Sequence, residues 1–105
     1  MMLKEFEHFI KTEKDIALIE LITVKGSSPR EVGAWMLVSP QKCLNTIGGG
    51  VLEFSMVAEA KKIFLANNND VGEASRINVK YGARLSYLEN DWIKEVLLMH
   101  LDNIM

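Results

Sequence analysis

One cysteine, two histidines and two prolines stand in 105 residues, and each scarcity closes off a class of function. A single thiol, Cys43, cannot form an internal disulfide, so a reducing, cytoplasmic setting is the expectation. It also excludes a zinc site built on several thiolates. The histidines, His8 and His100, lie at opposite ends of the chain with no metal-ligand spacing. No Ser-His-Asp arrangement is visible, and neither a catalytic residue nor a metal ligand is assigned. No apolar run approaches the length of a membrane-crossing helix, and the start, Met1-Met2-Leu3-Lys4-Glu5-Phe6, lacks the apolar core of a signal peptide. The basic residues are scattered, with Lys61-Lys62 the only adjacent pair, a net charge of -2 and a pI near 5.7. That pattern is opposite to the basic face of a nucleic-acid binder.

What remains is an ordinary globular composition, 49% apolar and 25% charged. Residues 1–105 make one domain, able to bury roughly two thirds of the extended surface. No linker, internal repeat or low-complexity segment is seen within these residues, and no second domain is expected in them. Residues 2–13 are predicted to form a helix, with Leu3, Phe6, Phe9 and Ile10 on one face. Ile16–Val24 is branched and apolar, as in a strand buried on both faces, with Glu20 on the less buried side. Gly26–Gly33 is a loop, because Pro29 pushes Ser28 out of helical conformation. Trp35–Val38 and Leu44–Ile47 make a hairpin around Ser39-Pro40-Gln41-Lys42. A strong helix spans 51–67, with Leu52, Met56, Ala60, Ile63 and Phe64 inward and Ser55, Glu59 and Lys62 outward. Short strands at Ser75–Val79 and Arg84–Leu88 flank a turn at Tyr81-Gly82-Ala83. A last helix over 91–104 carries Ile93, Val96, Leu97, His100, Leu101 and Ile104 on one stripe. The expected class is α/β (mixed α+β): one mixed sheet with helices packed on it, its strand order left open.

Two glycine-rich breaks hold most of the chemistry. Gly48-Gly49-Gly50 leads from a strand end into a helix start, where free N–H groups and the helix dipole suit an anion, phosphate above all. The first break adds the hydroxyls of Ser27 and Ser28 and the guanidinium of Arg30, a fork-shaped partner for phosphate. Glu53 in the first helical turn either complements the dipole or meets a ligand or cation. The run is neither a P-loop nor a dinucleotide fingerprint, since both signatures are missing. Cys43 at the hairpin has no nearby base, so a plain thiol is expected.

At these residues the chain resembles the XdhC/CoxI family. The match runs from Thr23-Val24-Lys25-Gly26-Ser27-Ser28-Pro29-Arg30 through Gly33-Ala34-Trp35-Met36-Leu37-Val38 to Thr46-Ile47-Gly48-Gly49-Gly50-Val51-Leu52-Glu53. It covers 16–66 well and 73–88 weakly. The resemblance implies an accessory protein that binds the molybdenum cofactor, a phosphate-bearing pterin dithiolene. Such a protein protects the cofactor during sulfuration and passes it to an apo-enzyme. Implied partners are a molybdenum hydroxylase and a cysteine desulfurase, with a homodimer or a second accessory chain also open. Cofactor-binding roles are carried onto Ser27, Ser28, Arg30, Gly48, Gly49, Gly50 and Glu53.

Three departures stand out. Trp35 occupies a position where the family often has a basic residue, and an indole suits stacking on a pterin. Lys80-Tyr81-Gly82-Ala83-Arg84 stands where the family tends to have Cys-Cys-Gly-Gly-Arg, so Gly82 and Arg84 remain while both thiols are gone. The dinucleotide-binding-like second domain of many members is not expected within these residues, which leaves a stand-alone form, a fragment of a longer product or half of a two-chain system open. A binding module is expected rather than an enzyme; the alternatives are a diverged interaction domain, or an enzyme acting on a phosphorylated small molecule at the glycine-rich site.

Overall fold

A computed structural model describes residues 2–23, 32–69, 77–80, 82–88, 94, 95 and 99, with backbone alone for 2, 3, 67–69 and 77–80. Its elements are α1 (Met2–Thr12), β1 (Ile16–Leu21), β2 (Trp35–Val38), β3 (Cys43–Asn45), α2 (Gly50–Asn69), β4 (Ile77–Lys80) and β5 (Ala83–Leu88). The expected last helix over 91–104 lies largely outside the described residues. No described helix is long and apolar enough to cross a membrane.

The five strands form one sheet in the order β3-β2-β1-β5-β4. The α+β class with one sheet and packed helices matches the expectation. All four pairings are antiparallel, whereas a mixed sheet was expected. The reason is local: β2–β3 and β4–β5 are hairpins, and β1 accepts one strand of each. α2 carries the chain from β3, across one face, to β4 at the far side.

Side chains alternate across the sheet with the period of two that a strand imposes. Ala17, Ile19, Leu21, Met36, Val38, Ala83, Leu85 and Tyr87 join Ile47, Met56, Ala60, Ile63 and Phe64 under α2. On the other face Ile16, Leu37 and Leu88 meet Phe6, Phe9 and Ile10 of α1. The result is a three-layer stack of α1, sheet and α2. Burial of each large side chain contributes about 1.5–3 kcal/mol, so strands that are apolar on both faces follow from having a helix on each side.

Strand ends differ from the sequence reading for identifiable reasons. β3 stops at Asn45, whose φ is +67°. Asparagine tolerates this left-handed conformation, and it turns the chain out of the sheet. Ile47, expected in the strand, instead tucks fully buried beneath α2. β1 stops at Leu21 because the N–H groups of Ile22 and Thr23 both turn to one acceptor, the Gly82 carbonyl, at 2.8 and 3.1 Å.

The hairpin end of the sheet is tied by polar groups. Ser39 donates its N–H to the Lys42 carbonyl at 2.8 Å, and its hydroxyl donates to Glu13 Oε1 at 2.8 Å. Tyr87 donates its hydroxyl to Asp15 Oδ1 at 3.0 Å. Lys94 is buried and donates Nζ to the carbonyls of Glu13 and Lys14 at 3.2 and 2.7 Å.

Candidate functional site

Antiparallel register gathers the motif segments at the opposite end of the sheet. Glu20 stands across from Trp35, Met36 across from Asn45, and Leu21 across from Ala83. The end of β1, the start of β2, the exit of β3 and the β4–β5 turn therefore share one edge. Thr23 and Gly33, on either side of segment 24–31, both bond here, to the carbonyls of Gly82 and Leu21. Ser27, Ser28 and Arg30 lie in that segment, outside the described residues.

The loop between β3 and α2 is built on glycine conformations. Gly48, Gly49 and Gly50 have φ of +115°, +74° and +71°. A non-glycine residue pays about 1–2 kcal/mol in this region, so three in succession account for the triple glycine. A Cβ on Gly49 would meet nothing within 4 Å. The backbone there is open to approach from outside.

Glu53 is the hub of this loop. Its Oε1 accepts the N–H groups of Ile47 and Gly49, each at 3.1 Å, and the Thr46 hydroxyl. Thr46 Oγ1 in turn accepts the Gly48 N–H at 3.0 Å. Thus one carboxylate in the first turn of α2 fixes the path of the chain that leads into the helix. This is the reciprocal logic of a capping box, extended over a longer loop. Thr46 is the residue that sequence reading passed over. A hydroxyl just before a glycine run, with a carboxylate in the following first turn, is the signal that marks it.

Gly82 is required by contact. A Cβ there would lie 2.5 Å from Thr23 Oγ1 and 2.7 Å from the Thr23 carbonyl oxygen, and its φ is +82°. With the two hydrogen bonds to its carbonyl, Gly82 clamps the β4–β5 turn onto Thr23, the root of segment 24–31.

Other residues have committed partners. Arg84 faces Glu20 across the β1–β5 pair and donates Nη2 and Nε to Glu20 Oε1 at 3.1 and 3.3 Å. Trp35 stands edge-on to Phe6, ring centroids 5.3 Å apart, and joins the core under α1. That packing explains the indole without a stacked ligand. Cys43 opens β3 and is exposed. Partial burial raises its thiol above the ordinary range; Lys61 opposes that shift, and Glu53 adds to it. A thiol held protonated is a poor nucleophile. Among the described residues, no group of three or more His, Cys, Asp and Glu could hold a metal ion.

A model described as the XdhC and CoxI family matches residues 9–73, more than half of the chain. A solved structure from Bacillus halodurans, described as a xanthine dehydrogenase, superposes with a TM-score of 0.65 at 20% identity. The superposition covers 96% of this chain and 34% of that one, so this chain spans about a third of that protein's length. At such identity the likeness speaks for the fold. No curated protein matches the chain by sequence.

Proposed function

The chain belongs to the XdhC and CoxI family, and from that premise we propose that it is an accessory protein for a xanthine-dehydrogenase-like enzyme, one that holds the molybdenum cofactor by its phosphate. The observation that carries this reading is the convergence of the glycine-rich loop, the Gly82 clamp and the root of segment 24–31 on one sheet edge. A molybdenum hydroxylase as client and a cysteine desulfurase as sulfur donor are the partners it implies.

The residues present fit a phosphate at one place. The N–H groups of Ile47, Gly48 and Gly49 are taken by Glu53 and Thr46 and shape the loop rather than meet the anion. The N–H groups of the first turn of α2, from Gly50 on, have no acceptor within the helix. α2 is 20 residues long, and its amino end carries the partial positive charge that favours an anion. The open backbone at Gly49 gives access. The Glu53 carboxylate stands nearby, and the three donors on its Oε1 offset its repulsion of a phosphate. In this proposal the backbone of Gly49 and Gly50 and the first turn of α2 cradle the phosphate. Ser27, Ser28 and Arg30, carried over from the family motif, are proposed as its side-chain partners, and Glu53 as a positioning residue. When bound, the cofactor supplies the metal and dithiolene chemistry; this chain holds and orients it.

The test is titration of the purified chain with molybdenum cofactor released from a loaded enzyme, measuring retained pterin fluorescence and metal. Saturable binding is expected. Arg30→Ala removes a charge-assisted contact of about 1.5–3 kcal/mol and should weaken binding about tenfold or more. Gly49→Ala places a methyl group in the open approach and should weaken it too. Lys11→Ala, on exposed α1, should leave it unchanged. A folded protein that retains no pterin would refute the proposal.

A further inference from the structure

α2 carries large apolar side chains, among polar ones, on the face that the sheet does not use. Met56, Ala60, Ile63 and Phe64 point into the core. Opposite them, Val51, Phe54 and Leu65 are 81%, 77% and 62% exposed. With 3.6 residues per turn, Val51, Phe54, Ser55, Ala58, Lys61, Lys62 and Leu65 all fall within about 60° of the line through Ala58. A helix lying on a sheet needs only one apolar stripe. This one has two.

The outer stripe is symmetric about Ala58. Val51 and Leu65 lie seven residues to either side, Phe54 and Lys62 four, Ser55 and Lys61 three. If a second α2 is laid antiparallel with Ala58 on the two-fold axis, Val51 meets Leu65 at both ends. Phe54 meets the stem and ammonium of Lys62, a hydrophobic and cation–π contact made twice. Ala58 meets Ala58, and its small side chain lets the helices approach. The antiparallel arrangement also sets each positive amino end beside a negative carboxyl end. A stripe that complements itself under a two-fold rotation is what an isologous interface requires.

We propose that this face of α2 is a homodimer interface, with a second copy of the chain as its occupant. Val51, Phe54 and Leu65 leave on the order of 400 Å² of apolar side chain in water, the size of patch that marks an interaction site. Two such faces with the Lys61 and Lys62 stems bury roughly 1,000 Å², the lower bound for a specific interface. A weak, concentration-dependent dimer is therefore expected. The interface lies on the outer surface of α2, so it does not depend on the cofactor reading.

Sedimentation equilibrium of the full chain from about 1 µM to 1 mM tests the proposal. A monomer–dimer equilibrium is expected, and Ala58→Glu, which sets two carboxylates against each other on the axis, should abolish it while circular dichroism stays unchanged. Cysteine mapping in a Cys43→Ser background gives a second readout that does not rely on a disruptive charge. Ala58→Cys should form a disulfide-linked dimer on mild oxidation. Val51→Cys and Leu65→Cys should cross-link when mixed and not when separate. A chain that stays monomeric throughout overturns the proposal, as does a dimer indifferent to Ala58→Glu or a cross-linking pattern without this pairing.

Discussion

The most direct test of the site's construction is removal of the Glu53 carboxylate. Glu53→Ala leaves three donors without their acceptor: the Thr46 hydroxyl and the N–H groups of Ile47 and Gly49. A hydrogen bond to a charged group contributes about 1.5–3 kcal/mol when water cannot replace it. Thr46 is exposed and Gly49 half-buried, so solvent takes up most of those two losses. Ile47 has no exposed surface, and its N–H carries most of the penalty. The net expectation is about 2 kcal/mol, which lowers Tm by about 10 °C in a domain of this length. Glu53→Gln keeps an acceptor oxygen and should cost about half as much. Urea unfolding followed by circular dichroism reads both variants, with an unchanged m-value showing that the native state is otherwise intact. Glu53→Ala within about 0.5 kcal/mol of the parent, the spread of ordinary surface substitutions, would refute the hub assignment. So would equal damage from Ala and Gln.

Two further comparisons probe the ends of the sheet. Gly82→Ala combines a left-handed φ with a methyl group forced against the Thr23 backbone and should cost about 3 kcal/mol, whereas Gly33→Ala, strained in φ alone, should cost about 1 kcal/mol; equal losses in thermal unfolding would remove the case for a clamp. Lys94→Met strips the Glu13 and Lys14 carbonyls of a buried donor and should cost about 1–3 kcal/mol; a Tm equal to that of the parent would mean that water serves those carbonyls equally well.

The fold class and most elements were legible because periodicity carries them. Phe6, Phe9 and Ile10 announced α1, and the branched, nearly all apolar run from Ile16 announced a strand covered on both sides. What could not be read was pairing. The two hairpins were read, but Leu21 meeting Ala83 or Glu20 meeting Trp35 depends on how they join β1, which no local pattern encodes. The same limit held at the site. The triple glycine and Glu53 stood out as a loop before a helix, but the direction of the Glu53 carboxylate, into the loop, is a property of the folded turn. Trp35 read as an available ring until its packing on Phe6 was known. Asn45 and Thr46, the latter within the quoted motif, were given no role because their roles arise from φ and from a hydroxyl's reach rather than from hydrophobic pattern.

The central pairing of the sheet, β1 with β5, joins residues such as Glu20 and Arg84 that lie 64 positions apart. The two hairpins close over short spans, so they can assemble early and cheaply. Zipping β1 against β5 requires the entropic cost of a long closed loop first. The contact that holds Gly82 to Thr23 belongs to that late step. The glycine loop, with Thr46, Ile47, Gly49 and Glu53 close in sequence, belongs to an early one. The edge that gathers the motifs thus comes together in two stages: a locally built half waits for the other, and the motif-bearing surface is completed only when the middle of the sheet shuts.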